Sequence, residues 1–297
     1  MTCRVSVVIA TKGRPQIVAR LAARLAEQTR PPGHVYVVGA SESDIAAVAP
    51  RPGVTAFVGR PGPCAQRNDG LDAGAGESDA FVFFDDDFVP SRFWLERLTA
   101  LLAARPDIVA VNGAVLEDGA KTAGLDPDQA WARVERQDRD ADAGAPVDAG
   151  FEVDPEPFGY GCNIAFRGAA ARGGRFDEPP PLYGWREHRD FTTRIRRHGL
   201  YGRAPMLWGV HMGAKTGRTP GVKLGYSQIA NAAYLVEKGT VTRGFAVNLA
   251  GRNILANLAH SLKPEPWIDR RGRLRGNLIA LADVARGKAR PERALEL

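Results

Sequence analysis

Apolar positions in the first third of the chain alternate between short β-branched runs and helical spacing. The run RVSVVIA at 4–10 predicts a buried strand that ends at the breaker-rich TKGRP. Ile17, Leu21 and Leu25 then recur at every fourth position, which predicts a helix with one face packed on that strand. Further elements are predicted as strands at 34–40 (HVYVVGA), 54–59 (VTAFVG) and 79–87 (DAFVFFDDD), and as a short helix at 64–71.

Strands that alternate with helices favour parallel βαβ units and therefore an open α/β sheet. Ligands of such sheets bind beyond the carboxyl ends of the strands. The segments 11–14, 41–44 and 85–87 all follow predicted strand ends. We therefore expect these three segments to converge on one crevice.

The middle of the chain is less regular. The segment 118–157 is rich in Asp, Ala, Gly and Pro, and we interpret it as a variable excursion from the sheet with a helix around Trp131. Strand character returns at 159–167 (GYGCNIAFR). The segment 191–198 (FTTRIRRH) predicts a helix that Gly199 ends, because glycine favours the position just after a helix.

The chain from Tyr226 onward is predicted to be largely helical and ends in segments rich in arginine and lysine. We therefore expect a catalytic domain at 1–222 and a helical, basic extension at 223–297. One face of the extension is apolar, at Ile254, Leu255, Leu258 and Leu262. Amphipathic helices usually face a core, so we expect this stripe to pack on the catalytic domain or on a second subunit of a homo-oligomer. The alternative is a peripheral contact with the inner face of the membrane, where the cations would meet anionic lipid.

Composition narrows the class of protein. An apolar share of 44% and a charged share of 25% over 297 residues are those of a soluble globular chain and exclude disorder and coiled coil. Three scattered cysteines exclude a disulfide framework and a paired-cysteine metal site. With no apolar run near the roughly 20 residues that span a bilayer, the chain is expected in the cytoplasm. A net charge of +6 suggests a nucleic-acid-binding protein as one class. The cations are concentrated in the tail without interleaved aromatic residues, however, so we expect no nucleic-acid partner.

The sharpest chemical feature is the triplet Asp85, Asp86 and Asp87, directly after the apolar FVFF. Adjacent carboxylates repel one another unless a cation neutralises them. Mg²⁺ and Mn²⁺ take oxygen ligands and are commonly shared between carboxylates and substrate phosphates. The alternative is an acidic turn before a helix that Pro90 and Ser91 open, but the position at the ligand edge of the sheet favours a metal site.

Several motifs together resemble one enzyme family. In chain order, SVVIATKGRP, GRPGPCAQRNDGL, FVFFDDDFVP, GCNIAFRGAAARGGRFDE and WREHRDFTTRIRRHG are similar to motifs of the family 2 inverting glycosyltransferases of the GT-A fold, over residues 5–211. The resemblance implies an open, mostly parallel α/β sheet flanked by helices. It also implies metal-dependent, inverting transfer from a nucleoside diphosphate sugar to an acceptor hydroxyl, in polysaccharide or glycoconjugate biosynthesis. The acceptor would be a glycan, a lipid-linked molecule or a small molecule.

The same resemblance assigns roles on the donor side. Asp85 and Asp87 would hold Mg²⁺ or Mn²⁺, with His211 as a third ligand, although a single histidine after a strand is more often structural. Lys215 and Arg218 lie in the Gly-rich MGAKTGRTPG, which would close over the diphosphate, or would otherwise be a solvated basic loop. The residues expected to contact the nucleotide sugar are Thr11, Arg14, Ser41, Arg67, Asn68, Asp86, Lys215 and Arg218.

On the acceptor side, the base motif places Glu187, His188 and Asp190 as candidates for the group that deprotonates the acceptor. His188 occupies the usual base position, Glu187 is the nearest carboxylate, and Asp190 is equally well explained as the cap of a helix that starts at the next residue. Asn163 and Trp185 are expected to contact the acceptor.

The end of the second strand departs from the family pattern. Many members have paired aspartates there, one of which reads the nucleotide base, whereas this chain has VGAS at 38–41. Asp44 either takes the place of the base-reading aspartate or caps a helix, so the sequence does not identify the nucleotide base. A sugar-phosphate nucleotidyltransferase is an alternative class, but it would want a Gly-rich loop around the triphosphate and TKGRP has a single glycine.

Overall fold

The computed structural model describes residues 3–76, 78–141, 150–154, 160–178 and 187–297. Within these residues the strands form one sheet. They are β1 (Val5–Thr11), β2 (His34–Gly39), β3 (Val54–Val58), β4 (Ala80–Asp85), β5 (Phe88–Pro90), β6 (Ile108–Asp118), β7 (Glu152–Val153), β8 (Asn163–Arg167) and β9 (Leu200–His211).

The strand order is β3-β2-β1-β4-β8-β6-β9-β5, with β7 paired to β9. The strands β1 to β4, β6 and β9 point one way, while β5, β7 and β8 run against their neighbours. The sheet is therefore mostly parallel, as predicted. Because β2 and β4 lie on opposite sides of β1, the order reverses there, and Ala10 of β1 lies opposite Asp85 of β4. In open α/β sheets ligands bind at this kind of reversal.

Helices cover both faces of the sheet. They are α1 (Pro15–Ala26), α2 (Glu42–Ile45), α3 (Pro63–Ala73), α4 (Trp94–Ala104), α5 (Pro127–Asp140), α6 (Gly168–Arg172), α7 (Glu187–Ile195), α8 (Gly221–Glu237), α9 (Arg243–Ala259) and α10 (Arg270–Ala285). Short 3-10 helices lie at Gly119–Lys121, Arg196–His198 and Pro291–Glu296.

Side-chain alternation along the strands divides the core between the two faces. Val82 and Phe84 point into the cluster that also buries Trp94 of α4, while Phe81 and Phe83 point into the cluster that buries Phe191 of α7. Successive residues of a strand point to opposite faces, so a continuous apolar run is buried on both.

Two sequence expectations about helix starts are wrong. The helix expected from Phe191 begins at Glu187 among the described residues, so Asp190 lies inside α7 and is not its cap. Asp44 likewise lies inside α2, and Ser41 occupies the cap position. The helix expected around Trp131 is α5, whose first backbone N–H groups are accepted by the carboxylate of Asp126.

The three C-terminal helices form a bundle with its own apolar cluster around Tyr226. Gly225 and Gly276 let α8 and α10 meet backbone to backbone, because a methyl group on either would overlap the other helix. Buried amides of Gln228 and Asn277 join these helices to Asn257 of α9. None of the helices in the described ranges is both long and apolar enough to cross a membrane.

The apolar stripe of the extension does not pack on the catalytic domain, contrary to one of the two packing arrangements expected from the sequence. Leu255, Leu258 and Leu262 are 65%, 54% and 89% exposed, and Ile254 alone of the four is partly buried against the bundle. The buried residues of α9 are Ala246 and Asn257 instead.

Candidate active site

The aspartate triplet lies at the carboxyl end of β4, at the reversal of the sheet. Asp85 is partly exposed, whereas Asp86 and Asp87 are buried. The hydroxyl of Thr11, the last residue of β1, donates to Asp86 Oδ2 at 2.7 Å. Burial is the main reason that the pKa of Asp86 rises to about 6, and the neighbouring Asp87 carboxylate adds to it. The strand ends thus bring two of the predicted segments together, as expected.

Arg14 links the triplet to the loop that follows β9. Its Nη1 lies 2.7 Å from Asp86 Oδ1 and 3.3 Å from Asp87 Oδ2. The same guanidinium donates to the carbonyl oxygens of Ala214 and Thr216, at 3.0 and 2.9 Å. One cation therefore offsets part of the carboxylate repulsion and ties the loop down over the triplet.

His211 ends β9 and lies between two carboxylates. Its Nε2 is 3.3 Å from Asp87 Oδ1, and its Nδ1 is 2.8 Å from Asp118 Oδ1. The hydroxyl of Tyr160 donates to Asp118 Oδ2 at 2.6 Å. Burial alone would lower the pKa of His211, but the hydrogen bonds to Asp118 and Asp87 outweigh it and raise the pKa to about 10. A carboxylate behind a histidine is the usual support for a metal-binding imidazole.

Asp85, Asp87 and His211 fit a cation site. One ligand atom from each lies within 4.8 Å of the others, close enough for the three to share one ion. Burial tends to raise the pKa of Asp87, but His211 and Arg14 overcome it and lower the pKa to about 2, so the carboxylate is ionised at neutral pH. Two carboxylates and an imidazole suit a divalent ion such as Mg²⁺ or Mn²⁺.

The loop 213–220 covers this cluster. Ala214 donates its backbone N–H to Asp87 Oδ2 at 2.7 Å, and Lys215 Nζ donates to the carbonyl oxygens of Gly119 and Ala120. The pKa of Lys215 falls to about 8, first because of burial and then because of the neighbouring Arg218. These contacts hold the loop in place through the backbone of Ala214 and the side chain of Lys215.

Two of the three glycines of MGAKTGRTPG have the left-handed backbone that favours glycine. Gly213 has φ of 64° and Gly217 has φ of 68°, and a methyl group on Gly217 would lie 2.3 Å from the carbonyl oxygen of Lys12. Gly221 is the first residue of α8 and not part of the loop. Arg218 donates to the carbonyl oxygens of Gly213 and Ala214.

Arg67 joins the metal cluster to the base motif. From α3, its Nη2 lies 3.0 Å from Asp85 Oδ1 and its Nη1 lies 2.9 Å from Glu187 Oε1. Glu187 is also 3.3 Å from His188 Nε2. Burial would raise the pKa of Glu187, but His188 and Arg67 lower it, so this carboxylate is ionised. His188 packs its ring edge on Phe176, with ring centroids 5.9 Å apart.

Asp190 lies away from this line of residues and is fully buried. Its Oδ2 pairs with Arg194 of the same helix and with Lys238, each at 2.9 Å. Lys238 also pairs with Asp177 at 2.6 Å. Asp190 therefore connects α7 to the C-terminal bundle, and its ion pairs with Arg194 and Lys238 favour a structural role over that of the base.

Two expected contact residues have buried side chains. Asn68, one residue after Arg67, donates its amide to the carbonyl oxygen of Phe176 and to Glu178 Oε1, and accepts from the Phe176 N–H. The structure thus corrects the expectation that Asn68 faces the nucleotide. Asn163 starts β8 and is fully buried, and its Oδ1 accepts no hydrogen bond from the residues that the structure describes.

Ser41 and Trp185 are the remaining residues that were expected to contact substrate. Ser41 follows β2 and donates to Asp44 Oδ2, and Asp44 also accepts the backbone N–H groups of Gly13 and Ala40. Both oxygens of Asp44 are therefore engaged locally. Trp185 lies outside the described residues.

Asp118 and Tyr160 are site residues that the sequence did not identify: Asp118 accepts hydrogen bonds from the hydroxyl of Tyr160 and from Nδ1 of His211. Asp118 ends β6 and lies opposite His211 in the register of β6 and β9. The sequence does indicate the position of Asp118 in part, because an acidic residue after an apolar run marks a strand end. Pairing it with His211 requires the strand order, which no local pattern contains.

Comparisons with known proteins bear on the family and the fold. Residues 6–143 match the family model described as Glycosyl transferase family 2. A search of curated proteins by sequence finds no match. Among solved structures, the chain resembles the mannosyltransferase PcManGT from Pyrobaculum calidifontis in complex with GDP-Man and Mn²⁺. Sequence identity is 18% and the TM-score 0.53, over 99% of this chain and 79% of that one.

A second group of similar structures comes from S. aureus TarS. The fragment TarS 1–349 in complex with UDP-GlcNAc has 16% identity and a TM-score of 0.54, over 98% of this chain and 82% of that one. A longer TarS structure has 13% identity and a TM-score of 0.52, and this chain spans 55% of it. At these identities the structures show the fold, while the family model shows the class of enzyme. Together they confirm the resemblance and decide against a nucleotidyltransferase.

Proposed function

Residues 6–143 of this glycosyltransferase belong to glycosyl transferase family 2, and on that premise we propose a metal-dependent transfer with inversion from a nucleoside diphosphate sugar to an acceptor hydroxyl. The observation that carries the proposal is the cluster of Asp85, Asp87 and His211 at the reversal of the sheet. The similar structures bound to GDP-Man or UDP-GlcNAc support a nucleotide-sugar donor.

Asp85, Asp87 and His211 would hold Mg²⁺ or Mn²⁺, with Asp118 supporting the imidazole. When bound, the ion neutralises charge that develops on the leaving diphosphate. Three acidic groups and an imidazole attract a cation, and the PcManGT structure with Mn²⁺ supports manganese as one candidate.

Cationic side chains around the cluster would bind the diphosphate oxygens. Arg14 is already on the triplet, and Lys215 and Arg218 lie on the loop that covers it. Each currently donates to backbone carbonyl oxygens, so donor binding would exchange neutral acceptors for phosphate. Bonds to phosphate are the stronger of the two, and this favours closure of the loop on the donor.

The acceptor base is His188, held in orientation by Glu187. When His188 donates its Nε2–H to the Glu187 carboxylate, Nδ1 becomes the basic nitrogen, and because this atom is buried the acceptor hydroxyl would have to enter the protein beside it. Arg67 keeps Glu187 ionised and so makes it a weaker base than the histidine it orients. A base held by a third group is a common arrangement in enzymes that activate a hydroxyl.

The wider assignments follow from the same premise. We keep the catalytic unit at 1–222 and the extension at 223–297, with Asn163 and Trp185 on the acceptor side. The acceptor is a hydroxyl of a glycan, of a lipid-linked molecule or of a small molecule. All three cysteines are free and lie in the described part of the chain, which supports a reducing compartment such as the cytoplasm.

Thermal-shift measurements with a panel of nucleotide sugars and Mn²⁺ test the donor and the metal together, because a ligand of the native state raises its stability. We expect a shift with at least one donor that disappears with EDTA and in Asp87→Asn. The control is Asp107→Asn, which should behave as wild type, because this exposed carboxylate directly precedes β6 and so lies at the opposite end of that strand from Asp118. An Asp87→Asn variant with unchanged donor binding and turnover would contradict the metal assignment.

His188→Gly tests the base. We expect turnover to fall by about 10²–10⁴-fold with donor binding intact, and added imidazole to restore part of it. Glu187→Gln should cost less than His188→Gly if Glu187 only orients the ring. A loss in Glu187→Gln that exceeds the loss in His188→Gly, with no rescue by imidazole, would make Glu187 the base.

A further inference from the structure

The C-terminal bundle presents an apolar outer face. On α9 and the turn after it, Val247, Leu255, Leu258 and Leu262 are 71%, 65%, 54% and 89% exposed. Their spacing places them along one side of the helix, opposite Ala246 and the buried Asn257. Large exposed apolar side chains scattered singly need no explanation, but a row of them marks a contact surface.

The adjacent helix α10 continues this character. Leu278 and Leu281 are exposed at 57% and 40%, and Asn277, just before them, is hydrogen bonded to Asn257 of α9 at 2.8 Å. We call the exposed apolar residues of α9, α10 and the turn between them the outer face.

The segment that carries the outer face is rich in cations. Residues 243–290 contain ten lysines and arginines and three acidic residues, a net charge of +7 against +6 for the whole chain. The acidic residues are all engaged. Glu265 pairs with Arg270 at 2.7 Å, Asp283 is buried and pairs with Arg293 at 3.1 Å, and Asp269 caps α10.

We propose that the outer face docks on a bilayer of anionic phospholipid. The leucines enter the boundary between headgroups and acyl chains, and the surrounding cations meet lipid phosphates. A second copy of the chain fits less well, because a two-fold interface would set two faces of like charge against each other. Nucleic acid would satisfy the cations but offers no environment for a row of leucines.

The bundle is anchored to the catalytic unit near the base motif. Lys238 at the end of α8 pairs with Asp190, and Phe245 of α9 lies under the guanidinium of Arg189, 4.1 Å from its carbon. A bilayer that holds the bundle therefore holds the catalytic unit as well. Docking on a bilayer does not depend on the proposed reaction. Vesicle binding can therefore be measured even if the proposed glycosyl transfer is wrong, and glycosyl transfer can be measured even if the chain does not bind vesicles.

Sedimentation of the full chain with vesicles tests the proposal. The vesicles are phosphatidylcholine alone, or phosphatidylcholine with about one third phosphatidylglycerol, at low and high salt. The apolar variant is Leu255→Ser with Leu258→Ser, and its matched control carries two exposed strand valines, Val58→Ser with Val153→Ser. The charge variant is Arg252→Ser with Lys263→Ser, and its matched control is Arg136→Ser with Arg139→Ser on α5.

We expect wild type and both controls to pellet with anionic vesicles at low salt and to be released at high salt. The charge variant should bind about 25-fold more weakly, since each cation near an anionic surface contributes about fivefold. The apolar variant should bind at least about tenfold more weakly at low salt.

Three results would overturn the proposal. Wild type could stay in the supernatant with anionic vesicles at low salt. The chain could be a dimer by light scattering that Leu255→Ser with Leu258→Ser converts to a monomer, without vesicle binding. It could also bind an oligonucleotide more tightly than vesicles, with the leucine substitutions making no difference.

Discussion

Gly161 determines where the ring of His188 can lie. A methyl group built on this buried glycine would be 1.6 Å from His188 Nε2 and 1.9 Å from its Cδ2. Carbon contacts are comfortable at about 3.5 Å, so Gly161→Ala must displace the ring by about 2 Å. The same Nε2 is 3.3 Å from Glu187 Oε1, and a displacement of that size separates the pair.

We therefore expect Gly161→Ala to lower kcat by about 10²-fold or more, because misplacing a catalytic group by about 1 Å costs that much. The KM for donor should change little, since the cluster around Asp85 and Asp87 is untouched. Overpacking should cost about 1–3 kcal/mol of stability, which leaves the fold intact. Steady-state kinetics and denaturant melts measure both effects.

The control is Gly244→Ala on α9, where an added methyl group meets open space. It should keep wild-type kcat and gain up to about 1 kcal/mol, the usual preference for alanine in a helix. In the double variant Gly161→Ala with His188→Ala, the clash disappears, so stability should recover while kcat stays at the level of His188→Ala. Near-normal kcat in Gly161→Ala, beside an inactive His188→Ala, would refute this reasoning.

Three further outcomes are expected. Lys238→Met should lower stability by about 1–2 kcal/mol, a discounted value for a partly exposed ion pair, whereas Lys223→Met on the same helix should not. Burial would raise the pKa of Asp177, but Lys238 helps to lower it. The stability lost in Lys238→Met should therefore be largest at neutral pH and should shrink as the pH falls through the folded-state pKa of Asp177. An equal loss of stability at neutral and at acidic pH would contradict this prediction. Thr11→Val should cost about 1–3 kcal/mol by leaving a buried carboxylate without its hydroxyl donor, and Thr11→Ser should recover most of it in chemical melts. Trypsin should cut the loop 213–220 more slowly with nucleoside diphosphate and Mn²⁺ than without, and equal rates would mean that the loop does not respond to donor.

The strands and the triplet could be predicted because local pattern decides them. A run such as FVFF is buried on both sides of a parallel sheet, and the acidic residues that follow it must lie at the strand end. Parallel strands meet at their carboxyl ends, so Thr11 and Asp86 could be expected in contact before any distance was known.

Other features depend on direction or partner and could not be predicted in this way. Adjacent helical residues point about 100° apart, so Arg67 enters the crevice while Asn68 turns into the protein, although both belong to one motif. The apolar stripe on α9 led to the wrong prediction that it packs on the catalytic domain, for a different reason. Small residues and amides such as Asn257 fill the inside of the bundle, and the hydrophobic pattern therefore identifies the outer side.

The pairing of β6 with β9 has a consequence for the order in which the molecule assembles during synthesis. Asp85 and Asp87 leave the ribosome more than a hundred residues before His211, and Asp118 must wait for the same partner. Until then Arg14, from the same early segment, is the cation at hand for the triplet. Since a domain generally folds as a unit once its residues are available, we expect a nascent chain that ends before β9 not to retain Mn²⁺. The capacity to bind donor would then arise late, once the strand that completes the sheet has been made.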